Sequence, residues 1–201
     1  MIHTGAGSRD PGHVHPIDHY PVGSIDIFHA SGGARFMVRP VLPQDCGPLG
    51  AMFGRLSRMA HYNRFHGARS RLSDAELRTM TQVDYRRHMA VVITTERADT
   101  GHELVVGDAR YVVEPQGGRA EFAVVIENAW QRMGLGARAL GALVNAARRS
   151  GLQYLYGGVL DANVPMLALA RRCGFDLGPD LEERGVMRAS MTVAALPLRR
   201  A

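Results

Sequence analysis

A glycine-bearing turn, Gln131-Arg132-Met133-Gly134-Leu135-Gly136, stands between a β-rich run, Arg119 to Ile126, and a long amphipathic pattern, Leu135 to Arg149. Leu135, Ala139, Leu140, Leu143, Val144 and Ala147 fall on one side of a helix of period 3.6, and Gly151 is placed to stop it. A second β-rich run, Gln153 to Leu160, follows, and Pro165 and Gly174 bracket another helix. This is the one clear strand-helix-strand unit in the chain, and it requires a sheet with helices packed on it.

The flanking elements extend that sheet. Arg35 to Arg39 alternates with Phe36 and Val38 on one face and is closed by Pro40 and Pro43, which predicts a strand. Leu49, Met52, Phe53 and Leu56 form one helical stripe, and Ser57 to Arg64 continues as a second short helix. Ser73-Asp74-Ala75-Glu76 has capping-box form and opens a helix through about Thr81. Met89 to Thr95, Glu103 to Val113 and, after the turn Pro115-Gln116-Gly117-Gly118, Arg119 to Ile126 predict an antiparallel meander. Val186 to Val193 supplies a last strand, so the expected order is β-αα-α-βββ-αβ-α-β.

At 201 residues the chain fits one domain. Residues 1–33, rich in Gly, Pro and His without periodicity, are expected to be a flexible or loosely docked extension, with residues 34–201 forming the domain. His3, His13, His15, His19 and His29 lack a matching carboxylate or Cys constellation, so no metal is expected. No apolar run approaches the roughly 20 residues of a membrane span, and the N-terminus has no basic and apolar leader pattern, so the expected location is the cytoplasm. Cys46 and Cys173 are far apart and lack metal-ligand spacing; buried free thiols are expected. The formal charge of +5 favours polyanionic partners. Interleaved aromatics, zinc-finger spacing and dense basic blocks are absent, so a phosphorylated cofactor is expected rather than nucleic acid.

A loop entering a helix N-terminus presents unpaired N–H groups and the positive end of the helix dipole, a site for a pyrophosphate to which Arg132 and Arg138 add charge. The same glycines also serve a plain chain reversal, and the loop alone does not decide between the two. A P-loop is excluded because no Gly-Lys-Ser/Thr follows. Gly134-x-Gly136-x-x-Ala139 with Asp161 imitates a dinucleotide fingerprint, but Glu127 to Met133 intervene between strand and glycine, against the tight turn that fold needs.

Gln131-x-x-Gly134-x-Gly136 between strand and helix, followed by Asn163 and by Cys173-Gly174-Phe175, resembles the acyl-CoA signature of the GNAT N-acetyltransferases. Tyr62-Asn63-Arg64-Phe65, Leu72-Ser73-x-x-Glu76-Leu77, Thr81-Gln82-Val83-Asp84-Tyr85 and Arg119-Ala120-Glu121-Phe122-Ala123 look like the acetyltransferase domain of bacterial protein lysine acetyltransferases, over roughly Arg35 to Val193. The resemblance implies an α/β (α+β) GNAT fold, a mixed twisted central sheet flanked by helices, with two strands splayed at the acyl-CoA site. It further implies that backbone N–H groups at Val124, Val125 and Ile126 hold the acyl and pantetheine arm. Gln131, Arg132, Met133, Gly134, Leu135, Gly136, Ala137 and Arg138 would hold the pyrophosphate of acetyl-CoA, with Asn163 facing the cofactor. Asn163 is equally a helix cap before Pro165.

A lysine amine has a pKa of about 10.4, so roughly one molecule in a thousand is nucleophilic at neutral pH and a base is needed. The resemblance assigns that role to Glu121, where partial burial would raise its pKa; the competing reading is an ion pair with Arg110 or Arg119. Attack on the thioester would be direct, with a strand N–H on the oxyanion. Many relatives place a Tyr four residues before the Gly-Phe pair to protonate the thiolate; here that position is Ala170. The expected acceptor is a protein lysine. A small amine such as a polyamine or drug, or a non-catalytic acyl-CoA-binding module, are the alternatives.

Overall fold

The computed structural model describes residues 20–30, 33–67, 71–97 and 99–193. Within them lie strands β1 (Asp26–His29), β2 (Arg35–Pro40), β3 (His88–Glu96), β4 (Glu103–Val113), β5 (Arg119–Ile126), β6 (Tyr154–Leu160), β7 (Asp176–Pro179) and β8 (Val186–Thr192). The helices are α1 (Cys46–Arg55), α2 (Arg58–Phe65), α3 (Asp74–Thr81), α4 (Leu135–Arg149) and α5 (Val164–Arg172). All the strands join one sheet in the order β1-β2-β3-β4-β5-β6-β8-β7. Every neighbouring pair is antiparallel except β5 and β6, which run parallel because α4 carries the chain back between them.

The expected helices form for the expected reasons. Ser73 and Glu76 make the reciprocal capping box that starts α3. The α4 stripe, Leu135, Ala139, Leu140, Leu143, Val144 and Ala147, is buried together with Ala146. Each large aliphatic side chain so placed contributes about 1.5–3 kcal/mol relative to exposure.

β1 and β7 are additions to the expected order. β1 pairs with β2 from Asp26↔Val38 to His29↔Arg35, so the expected boundary near Ala34 falls inside a β-hairpin. Phe28 stacks on Phe36 at 5.9 Å, Tyr20 donates to the Pro40 carbonyl at 3.1 Å, and Arg149 reaches Ser24 Oγ at 2.5 Å. Residues 20–30 are therefore docked on the domain by specific contacts. His3, His13, His15 and His19 lie outside the described residues. Among the described residues no group of His, Cys, Asp or Glu is arranged to hold a metal, and no helix is long and apolar enough to cross a membrane. In β7, Gly178 and Pro179 hide the strand from propensity; it forms because β8 pairs with it, at a sheet edge where proline is tolerated.

Alternation along β4 assigns the two faces. Tyr111 points towards α4, its hydroxyl 3.4 Å from Ser150 Oγ just past that helix. Its neighbour Arg110 points the other way, donating to the Met80 carbonyl of α3 at 3.1 Å. Asp108, on the Arg110 face, meets Arg64 of α2. α4 thus covers one face, and α1 and α2 cover the other, with α3 packed against α1.

Candidate active site

The parallel ladder between β5 and β6 is short: it runs from Arg119↔Tyr154 to Glu121↔Tyr156 and stops, although β5 continues to Ile126 and β6 to Leu160. Beyond that point the strands are unpaired with each other. Glu127 N–H donates to Val106 and Glu114 N–H to the Arg119 carbonyl, which fixes the alternation on β5. Odd-numbered residues turn their backbone groups to β4, even-numbered ones to the opening. Val124 and Ile126 thus present N–H groups to the opening, whereas the Val125 N–H belongs to the β4 ladder. The Ile126 carbonyl is already used, accepting from Gln131 Nε2 at 2.9 Å.

That bond folds Gln131 back on β5 and turns the chain into α4. Arg132 has φ 64° and Gly134 φ 82°, left-handed conformations that curl successive amides towards one side. The N–H groups of Arg132, Met133, Gly134, Leu135 and Gly136 make no hydrogen bond among the described residues; those of Ala137 and Arg138 are spent on the Gly134 carbonyl at 3.1 and 3.2 Å. A Cβ on Gly134 would meet only open space. Unpaired amides at the positive end of a fifteen-residue helix make a site for an anion, next to the strand opening. Arg132 is exposed and free to add charge. Arg138 is engaged: it pairs with Asp26 at 3.2 Å and its guanidinium lies 4.8 Å from the Phe28 ring centroid. Across the loop, Gly136 accommodates Leu169 of α5, whose Cδ2 would be 2.8 Å from a Cβ there.

Glu121 is exposed on the α2 face, at the last rung before the strands part. The partial burial expected for it is absent. Neither arginine proposed as its structural partner takes it: Arg110 is bound to Asp108, and Arg119 pairs with Glu114 at 3.5 Å. Tyr156 lies beside it on β6; burial and a hydrogen bond with Glu114 push that phenol up to about 12. Arg64 and Asp108 also belong to this face, and sequence reasoning singled out neither of them. Arg64 had appeared only within a motif, and its depth depends on where α2 docks.

Asn163 caps α5, its Oδ1 accepting from the Met166 N–H at 3.3 Å. Ala170 is fully buried, with no acid in the position where many relatives carry a tyrosine. Burial pushes the Cys173 thiol up, which disfavours the thiolate a nucleophile needs. Arg55 clasps Glu127 through two bonds of 3.0 and 2.9 Å, fixing the far end of β5, beyond the stretch that borders the opening.

The family model "Acetyltransferase (GNAT) domain" matches residues 35–176. An acetyltransferase of Pseudomonas aeruginosa is 31% identical over 143 residues, covering 71% of this chain and 76% of that protein. Acetyltransferase Pat of Mycolicibacterium smegmatis is 32% identical over 148 residues; the match covers 71% of this chain but only 41% of that longer protein. The solved GNAT domain of S. lividans PAT superposes with a TM-score of 0.78 at 23% identity, covering 87% of this chain and 99% of that one, and so shares the fold.

Proposed function

Because the chain belongs to the GNAT acetyltransferase family, whose enzymes use acetyl-CoA as cosubstrate, we propose that it acetylates a primary amine, a protein lysine, with Glu121 as general base. The observation that carries this reading is the strand opening beside a run of unpaired amides, a slot for an acyl arm that ends on an anion site. In it, the Arg132 to Gly136 amides hold the pyrophosphate, and the Val124 and Ile126 N–H groups face the pantetheine arm and the thioester oxygen. The amine reaches the thioester from the α2 face. Its nitrogen bonds to the acyl carbon, its proton passes to Glu121, directly or through water, and the C–S bond breaks to release CoA thiolate. With Ala170 where a tyrosine acid would stand, the thiolate leaves unaided or takes its proton from water; a thiol of pKa about 8.5 is an adequate leaving group.

The protein-lysine acceptor is supported by the stretches Tyr62 to Phe65, Leu72 to Tyr85 and Arg119 to Ala123, which resemble bacterial protein lysine acetyltransferases. The test is thiol release from acetyl-CoA with wild type and Glu121→Gln, against a lysine-peptide pool and a panel of small amines. Peptide turnover that falls about 100-fold or more in the variant is the expected result. Turnover confined to small amines would replace the acceptor, and tight acetyl-CoA binding without turnover would make this a binding module.

A further inference from the structure

Arg64, on the α2 face, has its guanidinium 5.0 Å from the Phe65 ring centroid but lacks hydrogen-bond partners among the described residues. Its side chain is only 13% exposed, its Nε is buried without a partner, and it donates no hydrogen bond among the described residues. Asp108, its nearest carboxylate, stands 4.0 Å away, too far for a hydrogen bond. Asp108 is itself fully buried and already gripped by Arg110 through Nε and Nη2. Arg110 directs Nη1 to the Met80 carbonyl and to His88 Nε2, each at 3.1 Å. Burial, helped by Arg110, pushes His88 down to about 4, so that imidazole is a neutral acceptor at neutral pH. Two guanidiniums therefore share one carboxylate, and a buried charge with unused donors is costly to retain.

Glu121 is the complementary case, a carboxylate with no ion pair among the described residues. It shares the face, one rung from Arg110: Glu121 lies opposite Val112, and Ala123 opposite Arg110. Besides Asp108, it is the carboxylate whose field reaches the Arg64 guanidinium, against the opposing push of burial and of Arg110. The other charged or titratable groups around the pair are Tyr156 on β6, Glu114 and Arg119 at the foot of β5, and His66 after α2, which faces Glu183 at 3.8 Å.

We propose that Arg64 is a positioning residue for Glu121, its unused N–H groups holding the carboxylate at the acceptor side of the strand opening and its charge balancing that of the base. This rests on the reading of Glu121 as the base.

The experiment is thiol release and thermal melting of the full chain, with the lysine-peptide pool as acceptor, for wild type, Arg64→Gln, Arg64→Lys, Glu121→Gln and the Arg64→Gln/Glu121→Gln pair. Arg64→Gln is expected to lower kcat about 10- to 100-fold while the KM for acetyl-CoA stays within about two-fold. Arg64→Lys should recover part of the lost kcat, and the double variant should be no slower than Glu121→Gln alone. Activity falling in step with Tm, with no recovery in Arg64→Lys, would reduce Arg64 to packing. An equal loss on the Glu121→Gln background would show that it acts apart from Glu121. Glu121→Gln turning over at the wild-type rate would instead remove the base assignment, and this proposal with it, a result visible in that single variant.

Discussion

Gly157 on β6 lies so close to Phe122 on β5 that a Cβ on it would fall 2.8 Å from the Phe122 carbonyl oxygen and 3.1 Å from the ring. The parallel ladder ends one residue earlier, so this contact marks the vertex of the strand opening. Gly157→Ala would push a methyl group against the Phe122 backbone, which cannot yield as a side-chain tip does. The expected cost is about 1–3 kcal/mol, seen as a lowered Tm. Because the displacement would occur at the vertex of the slot, acetyl-CoA affinity measured by calorimetry should fall by about 10-fold or more. A lowered Tm with unchanged affinity would place the cofactor elsewhere.

The loop before α4 makes a second, opposite prediction. Gly134 has φ 82° but open space around its Cβ position, so Gly134→Ala costs about 1 kcal/mol of backbone strain without a clash. Acetyl-CoA affinity should nevertheless drop, since the amides lose their common direction. The two arginines should separate as well. Arg132→Gln removes a free charge and is expected to weaken binding about 3- to 10-fold, less at high salt. Arg138→Gln should do less, because Asp26 already offsets that charge. Titration at two ionic strengths checks both.

The order of effects in these variants follows a distinction that sequence could carry only halfway. The α4 stripe, the Ser73 box and the meander are legible because local periodicity and capping are encoded within a few residues. The glycine turn is legible for the same reason, although its local sequence leaves a plain chain reversal open beside an anion loop. Which amides are free is a matter of register, and so Val125 and Val124, adjacent in one expected binding run, face opposite neighbours. Arg138 was expected to serve the cofactor, but the partner that engages it, Asp26, is far away in a segment whose composition suggested no order. Glu121 was expected to be partly buried; it is exposed because β6 parts from β5 at that rung, a long-range fact.

Asn163 separates two roles left open by the sequence. As the α5 cap, Asn163→Ala should cost about 0.5–2 kcal/mol, while Asn163→Asp, which still accepts from Met166 N–H, should cost much less. A capping residue alone leaves acetyl-CoA affinity unchanged in both variants once the protein is folded. Loss of affinity in Asn163→Asp at unchanged Tm would add a cofactor contact. Thermal melts and calorimetry on the same samples decide.

A buried ion network should set the stability of the far side of the sheet. Arg39 on β2 is held by Asp45 at 2.7 and 2.8 Å and by Glu103 of β4 at 3.0 and 2.8 Å. Asp45 is 3% exposed and Arg39 8%. Asp45→Ala strands a buried guanidinium with only the half-exposed Glu103, and is expected to cost about 3–5 kcal/mol in denaturant unfolding. A cost below about 1 kcal/mol would mean that Glu103 and water suffice.

His88 gives the stability a pH dependence with a definite sign. Its folded pKa, pushed down to about 4 by burial and then by Arg110, lies below the ordinary value of 6.5. Between those values the unfolded chain binds a proton that the folded chain refuses, so stability falls as pH drops through that window and the loss is complete below about 4. Asp84 acts lower. Burial pushes its carboxyl up, but the N–H groups of His88, Arg86 and Arg87 together hold it below 3.8, so its contribution is lost only beneath that value. His88→Gln, whose amide oxygen can still accept from Arg110, should flatten the decline of Tm between roughly pH 7 and pH 4.5, by on the order of 2 kcal/mol at the acid end. If both proteins lose stability in parallel over that range, the proton is taken up elsewhere and His88 is not the group that senses it.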